Sequence, residues 1–320
     1  MKCRSCSRIL ALLILLVFSG ATEAASAKLQ VVATVAPITN IVLNIGGDRI
    51  DLHGIVPEGT DSHTFEPAPS DIKYLAGADL LIFNGLHLEV PTEKLARANI
   101  KTGARILKLG DHTIAKKEWR FDFSFPESEG SPNPHLWLNI AHAMRYAELV
   151  RDALVALDSE NKAFYEERTR VYLSRLKPLD AAASKVIASI PSKNRKLVTY
   201  HDSWAYFCPR YGCTVIGAIQ PSSFSDPPPR EMARLIDQLK AEKVPAIFGS
   251  EVFPSKVLNQ IGREAGVKFI STLRDDDLPG PLDAPEHSYI GMMLENLRTM
   301  ANTLGGQPDA LQGIDPRNLD

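Results

Sequence analysis

Residues 159–190, SENKAFYEERTRVYLSRLKPLDAAASKVIASI, limit the fold of this chain more than any other stretch. Apolar side chains recur at Phe164, Tyr172, Leu176, Leu179, Ala183, Ile187 and Ile190. Steps of three, four and eight place them on one stripe of an α-helix. About 32 residues at 1.5 Å each span roughly 48 Å, longer than a small domain is wide. Asp158 and Ser159 supply a cap and Pro191 a stop, while Pro178 inside the run predicts a kink or a break. A helix of this length in mid-chain is a connector between two lobes.

The two flanks of that helix carry the same pattern. Upstream, apolar runs at 29–35, 49–56, 79–85 and 104–109 read as strands, with helices after residue 35, over 70–78 from a Ser70/Asp71 cap, and near 92–99. Residues 111–134 are polar and interrupt the alternation as a loop, and 141–157 is an amphipathic helix. Downstream, strands at 196–200, 214–218, 245–250 and 267–272 alternate with helices through 202–212, over 228–242 and over 255–265, before a last helix near 288–304. Strands alternating with helices imply parallel sheets. The expected fold class is α/β: two α/β lobes, each with a mostly parallel sheet flanked by helices, joined by one long rigid helix. The expected units are a signal peptide at 1–27, an N-terminal lobe at 28–157, the connecting helix at 158–190 and a C-terminal lobe at 191–320.

Lys2, Arg4 and Arg8 precede an unbroken apolar run from Ile9 to Phe18, and Ala25–Ser26–Ala27 fits a small-x-small cleavage site. This reads as a cleavable secretory signal peptide, because an apolar run of about ten residues is half of the roughly 20 a membrane span needs. The mature chain is expected to be exported and soluble. No cysteine follows the apolar run, so no lipid anchor is expected. Cys3 and Cys6 belong to the leader and receive no metal or redox role. Cys208 and Cys213 remain, and in an oxidising compartment so close a pair is a disulfide candidate. The formal charge is −2, and removing the leader's net +2 leaves the mature chain at −4. No Lys/Arg cluster lies on a predicted helix face, so no nucleic-acid partner is expected.

The candidate ligands are found among eight histidines. His53 lies inside a predicted strand and His142 on an amphipathic helix, so both are expected to pack or face solvent. His112 and His287 sit in polar stretches and read as solvated, and His87 ends a strand. His63, His135 and His201 differ by position. In open α/β sheets ligands bind beyond the carboxyl ends of strands. His63 follows the strand 49–56 in DSHTFEPAPSD, His201 follows 196–200, and His135 closes the polar loop in NPHLWLN; Asp275, Asp276 and Asp277 follow the last strand. Three imidazoles and a carboxylate form a complete tetrahedral set for zinc. Imidazole also suits iron, copper or nickel, whereas manganese prefers more oxygen ligands. Pro67 and Pro69 stiffen the His63 loop. Glu66, Asp71, Asp202 and Glu251 are candidates to accept a hydrogen bond from the second ring nitrogens.

DSHTFEPAPSD, NPHLWLN, TYHDSWAYF and DDDLPGP followed by SYIGMM, in that order, resemble the motifs of the metal-binding solute-binding proteins (cluster 9) of zinc and manganese ABC importers. The likeness runs from about residue 29 to about residue 304, and the long helix resembles that family's rigid backbone helix. The resemblance implies that His63, His135, His201 and Asp276 are metal ligands, with the adjacent Asp275 as the alternative to Asp276. His201 falls where zinc-type members have His and manganese-type members Glu. Two features depart from the pattern. Asn133 and Asn139 stand where the second motif usually begins and ends with Asp. The loop 111–134 holds His112 alone, where many zinc-type members carry a His-rich loop.

The resemblance implies a periplasmic protein that captures Zn²⁺ as a transported ligand in the inter-lobe cleft. It would deliver the ion to an ABC transporter permease in the inner membrane, as a monomer and without enzyme activity. A manganese-binding member of the same family is the alternative. A secreted zinc hydrolase is the reading from another class. It needs an open coordination position and a general base, and no H-E-x-x-H run is present.

Overall fold

The structure, a computed structural model, describes residues 27–220, 227–253, 256–271 and 273–320. The expected leader, with Cys3 and Cys6, lies outside them except for Ala27, as does Thr272 at the end of the last expected strand.

The first sheet contains β1 (Leu29–Ala33), β2 (Ile50–Gly54), β3 (Leu80–Phe83) and β4 (Arg105–Lys108), all parallel in the order β2-β1-β3-β4. The second contains β5 (Lys196–Thr199), β6 (Thr214–Ala218), β7 (Ala246–Phe248) and β8 (Lys268–Ile270), parallel in the order β6-β5-β7-β8. The two orders are the same pattern. Each sheet has its first strand inside and reverses direction there, which opens a crevice at the carboxyl ends. Helices α1 (Ala36–Gly46), α2 (Ile72–Gly77) and α3 (Val90–Asn99) make the crossovers of the first sheet. With helices on the faces, β3 buries all four of its residues, which is why it reads as a continuous apolar run.

α4 (Ile140–Leu157) begins where Asn139 Oδ1 accepts from Ala141 N at 3.1 Å. A short 3₁₀ turn at Ser159–Asn161, held by Asp158, leads into α5 (Lys162–Ser189), a helix of 28 residues. α5 is continuous through Pro178 and does not break there. Pro178 and Ser174 are both exposed, so the carbonyl that the proline ring leaves unpaired faces solvent instead of the core. The buried face runs through Tyr165, Thr169, Tyr172, Leu176, Leu179, Ala183 and Ile187. It starts at Tyr165. Phe164 is half-buried, and the guanidinium groups of Arg49 and Arg168 stack 5.3 and 5.5 Å from its ring.

In the second lobe α6 (Phe207–Tyr211), α7 (Pro229–Glu242) and α8 (Lys256–Ala265) flank the sheet, and α9 (Tyr289–Leu304) returns to pack on α5 and α1. The helix expected through 202–212 is confined to α6. Asp202 Oδ1 accepts from Trp204 N at 3.3 Å, a local turn that competes with helix and leaves 202–206 as a loop.

One apolar core joins the first sheet, α1, α4, α5 and α9, and reaches the second sheet through Leu197, Ala246 and Phe248. A smaller cluster, including Val198, Leu235, Leu239, Ile247 and Leu258, lies between the second sheet, α7 and α8. The C-terminal tail is tied to the first lobe. Asn318 Oδ1 accepts from the side-chain amides of Asn40 and Asn44, both at 2.9 Å, and Leu319 N donates to Asn44 Oδ1 at 2.8 Å.

Cys208 and Cys213 form a disulfide with their Cα atoms 4.5 Å apart, linking α6 to the start of β6. On the chain-entropy model so short a loop contributes about 2 kcal/mol. The double change Cys208→Ser/Cys213→Ser should lower the thermal midpoint by several degrees with little loss of far-UV ellipticity, and an unchanged midpoint would show the bond to be energetically idle.

Candidate metal centre

Three loops bring the histidines together. The first leaves β2, and its turn is set locally: Asp61 accepts from His63 N at 2.9 Å and from Thr64 Oγ1 at 3.0 Å. Asp71 accepts from Ala68 N at 2.8 Å, bracing the proline segment before α2. The second loop closes on His135, which is fully buried before a 3₁₀ turn at Leu136–Leu138. The third begins at the end of β5, where Thr199 Oγ1 donates to the His201 carbonyl at 2.7 Å and His201 is 1% exposed.

Their Nε2 atoms meet. His135 Nε2 lies 3.1 Å from His63 Nε2 and 3.1 Å from His201 Nε2, and the three ligand atoms lie within 4.8 Å of one another. For zinc–nitrogen bonds of about 2.0–2.1 Å, a tetrahedron separates its corners by about 3.3 Å. The two Nε2 spacings from His135 are close to that. Burial pushes the His63 and His135 imidazoles well below the usual histidine range, reinforced by His201 beside each of them and, for His135, by His63. Burial lowers His201 to about 4, against the opposing charge of Asp61. All three are therefore neutral near pH 7 and offer lone pairs.

The neighbours of His135 fix its tautomer. Asn133 Oδ1 receives the backbone N–H of His135 at 3.0 Å and lies 2.9 Å from its Nδ1. The Asn133 amide nitrogen in turn donates to Asp122 Oδ2 at 2.8 Å and to the Asp202 carbonyl. The oxygen of Asn133 must then face His135, so Nδ1 carries the proton and Nε2 the lone pair.

The aspartates stand across the cleft. Glu251 Oε1 accepts from the backbone nitrogens of Asp275, Asp276 and Asp277 at 3.1, 2.9 and 2.7 Å. Trp137 Nε1 donates to the Asp275 carbonyl at 2.7 Å. Asp275 Oδ2 lies 3.2 Å from His201 Nε2, while its Oδ1 accepts from Ser250 Oγ at 2.9 Å. Asp276 instead takes the Ser62 hydroxyl, 3.0 Å from each of its carboxylate oxygens. Both carboxyls are pushed up by burial, Asp275 to about 6 and Asp276 well above its ordinary range, with Asp275 and Glu251 adding to the latter. Burial and the Asp275 charge raise Glu251 to about 8. This is a concentration of buried carboxylates beside three neutral imidazoles, an environment that favours a cation.

Sequence reasoning overlooked Asn133 because it sought carboxylates. Among those it named, Glu66 is exposed, Asp71 holds Ala68, Asp202 caps Trp204 and Glu251 holds the aspartate loop. The available signal was the spacing N-x-H, since an Asn side chain commonly accepts from the backbone two residues on. His287 is a correction. It is 6% exposed, with Nε2 3.2 Å from Glu58 Oε1 and Nδ1 3.2 Å from the Gly280 carbonyl, because the 277–287 loop folds back on the first lobe. His87 is outside the cluster. It is exposed in a left-handed conformation (φ 69°), with its ring 6.2 Å from that of Trp119, on the rim of a cavity of about 190 Å³ that opens on His63. His53 stacks on Tyr74 at 3.6 Å.

Comparison with known proteins agrees with this geometry. The family described as zinc-uptake complex component A, periplasmic, matches residues 31–303. The metal ABC transporter substrate-binding lipoprotein FimA of Streptococcus parasanguinis is 28% identical over 302 residues, covering 92% of this chain and 97% of that protein. The manganese ABC transporter substrate-binding lipoprotein PsaA of Streptococcus pneumoniae is 28% identical over 304 residues, covering 92% and 97%. The structure of the periplasmic zinc binding protein TroA from Treponema pallidum superposes with a TM-score of 0.79 at 27% identity, over 87% of this chain and 99% of that one. The chain belongs to the family of zinc-uptake component A, the metal-binding substrate-binding proteins of ABC importers, which are transporter components and not enzymes.

Proposed function

We propose that this protein captures Zn²⁺ in the periplasm and delivers it, as a monomer, to an inner-membrane ABC permease. His63, His135 and His201 supply three ligands, and the Asp275–Asp276 pair supplies the fourth. The observation that carries this reading is the meeting of three neutral imidazoles, with His135 Nε2 3.1 Å from the Nε2 of each of the other two. Resemblance favours Asp276 as the fourth ligand, and proximity to His201 favours Asp275. Three imidazoles and one carboxylate suit zinc better than manganese, which prefers more oxygen. Manganese is the second reading, favoured by the naming of relatives such as the pneumococcal PsaA. The ion lies between lobes 28–157 and 191–320, with 158–190 as a stiff spine, so release requires a modest opening of the ligand loops and no wide hinge.

Titration of stripped protein against a competing chelator should show one zinc per chain, bound more tightly than manganese. Changing His63, His135 and His201 together to alanine should abolish that binding. Asp275→Asn and Asp276→Asn should each weaken it, the ligand by about 10–100-fold and its neighbour less. Binding that survives the triple change refutes the site, and tighter manganese than zinc refutes the metal.

A pH dependence follows from the buried carboxyls. Glu251 moves from the ordinary 4.5 to about 8 on folding, and Asp275 from 3.8 to about 6. A raised folded value supports folding fully below the ordinary value, and that support disappears as pH rises through the folded value. Metal-free protein should therefore lose thermal stability between about pH 6 and pH 8. A bound cation offsets the carboxylate charge, so the gain in melting temperature on adding zinc should be larger at pH 8 than at pH 6. Equal or reversed gains would count against a cation balancing these groups.

A further inference from the structure

Asn133 is wholly buried and uses its amide completely. Its oxygen serves both nitrogens of His135 described above, and its nitrogen serves Asp122 Oδ2 and the Asp202 carbonyl. Asp122 is anchored on its other oxygen by the backbone nitrogens of Ser124 and Phe125, each at 3.2 Å. That turn lays the Phe125 ring 5.4 Å from His63 and 5.7 Å from His135. Ser124 fastens it across the cleft, its Oγ donating to the Gln220 carbonyl at 3.1 Å and accepting from Asp202 N at 3.1 Å. The loop between the first sheet and α4 thus holds a carboxylate one amide away from a histidine of the centre.

An anion that pulls on one end of an amide polarises it and makes its oxygen a stronger acceptor. A stronger acceptor on the outer nitrogen of a ligating imidazole orients the ring and makes its other nitrogen a better donor. A carboxylate placed directly at 133 could not do this here. It would stand against the Asp122 carboxylate and the Asp202 carbonyl, three acceptors with no proton among them.

We propose that Asp122, acting through the Asn133 amide, is a positioning residue that sets the donor strength of His135 and hence the metal affinity of the centre. The relay rests on the reading of His135 as a metal ligand. It gives the otherwise histidine-poor loop 111–134 a definite role: the loop supplies charge to the centre from one residue behind the ligands.

The test is a two-residue cycle with wild type, Asp122→Asn, Asn133→Asp and the double variant, each titrated with zinc against a competing chelator and melted without metal. Asp122→Asn keeps the side-chain shape and should weaken zinc by about tenfold, within the range found for groups behind metal-ligating histidines. Asn133→Asp should weaken it at least as much. In the double variant carboxylate and amide exchange places, and zinc should bind several-fold more tightly than in Asn133→Asp alone. The Asp202 carbonyl still faces position 133, so recovery should stop short of wild type. Cobalt substituted for zinc should show a shifted visible absorption in Asp122→Asn, reporting a changed ligand field at His135. Losses that simply multiply in the double variant overturn the relay, as does Asp122→Asn that melts earlier without metal yet binds zinc within twofold of wild type. Wild-type protein that takes up no zinc overturns the site itself, and the relay with it.

Discussion

His135 Nε2 stands 3.1 Å from both His63 Nε2 and His201 Nε2. His135 has committed its proton to Asn133, so its Nε2 has a single lone pair facing both His63 and His201. One lone pair cannot accept two full hydrogen bonds, and burial disfavours a positive charge on any of the three imidazoles. Asp275 adds a carboxylate oxygen 3.2 Å from His201 Nε2. A cation reconciles all of these groups at once. The surrounding structure holds these groups in place.

The holding is distributed over polar bolts between the two halves. Ser62 grips Asp276, Gly59 N donates to Asp277 at 2.7 Å, Ser124 reaches Gln220, and Asn133 reaches the Asp202 carbonyl. Trp137 ties down the Asp275 carbonyl and is itself fixed by Tyr289, whose hydroxyl donates to the Trp137 carbonyl at 2.6 Å. Each such bond contributes on the order of 1 kcal/mol. The apolar core that joins the first sheet, α5 and α9 is far more costly to open, and the tail clamps it further through Asn318. The weakest seam is therefore the ring of bolts on the ligand loops, so a partner that opens the centre has to break those and can leave the core intact.

The fold was largely legible because strands buried on both faces read as apolar runs, and because a single long amphipathic stripe separated two equal patterns. Of the kink or break expected at Pro178 there is no break: whether a proline breaks a helix depends on which way the orphaned carbonyl points, and exposure is not visible in sequence. The helix expected across 202–212 is shortened to α6 for a local reason, the Asp202 turn. His63, His135 and His201 were recognisable because the carboxyl ends of strands are where α/β sheets bind ligands. His287 was misjudged because its partner Glu58 is distant in the chain, and only tertiary folding brings the two together.

What the sequence concealed most thoroughly is the division of labour among acidic residues. The eye goes to carboxylates as partners for ligating histidines, yet here Glu251 accepts from three backbone nitrogens and Asp202 from a turn. A neutral amide touches His135 instead. That arrangement has a physical logic. The centre already gathers Asp275, Asp276 and Glu251 in low dielectric, each raised by burial and by neighbouring acids. Another carboxylate in direct contact with the ligands would add to that repulsion whenever the metal is away. Moving the charge one amide outward, to Asp122, keeps the polarisation of His135 while sparing the ligand cluster a further anion in direct contact.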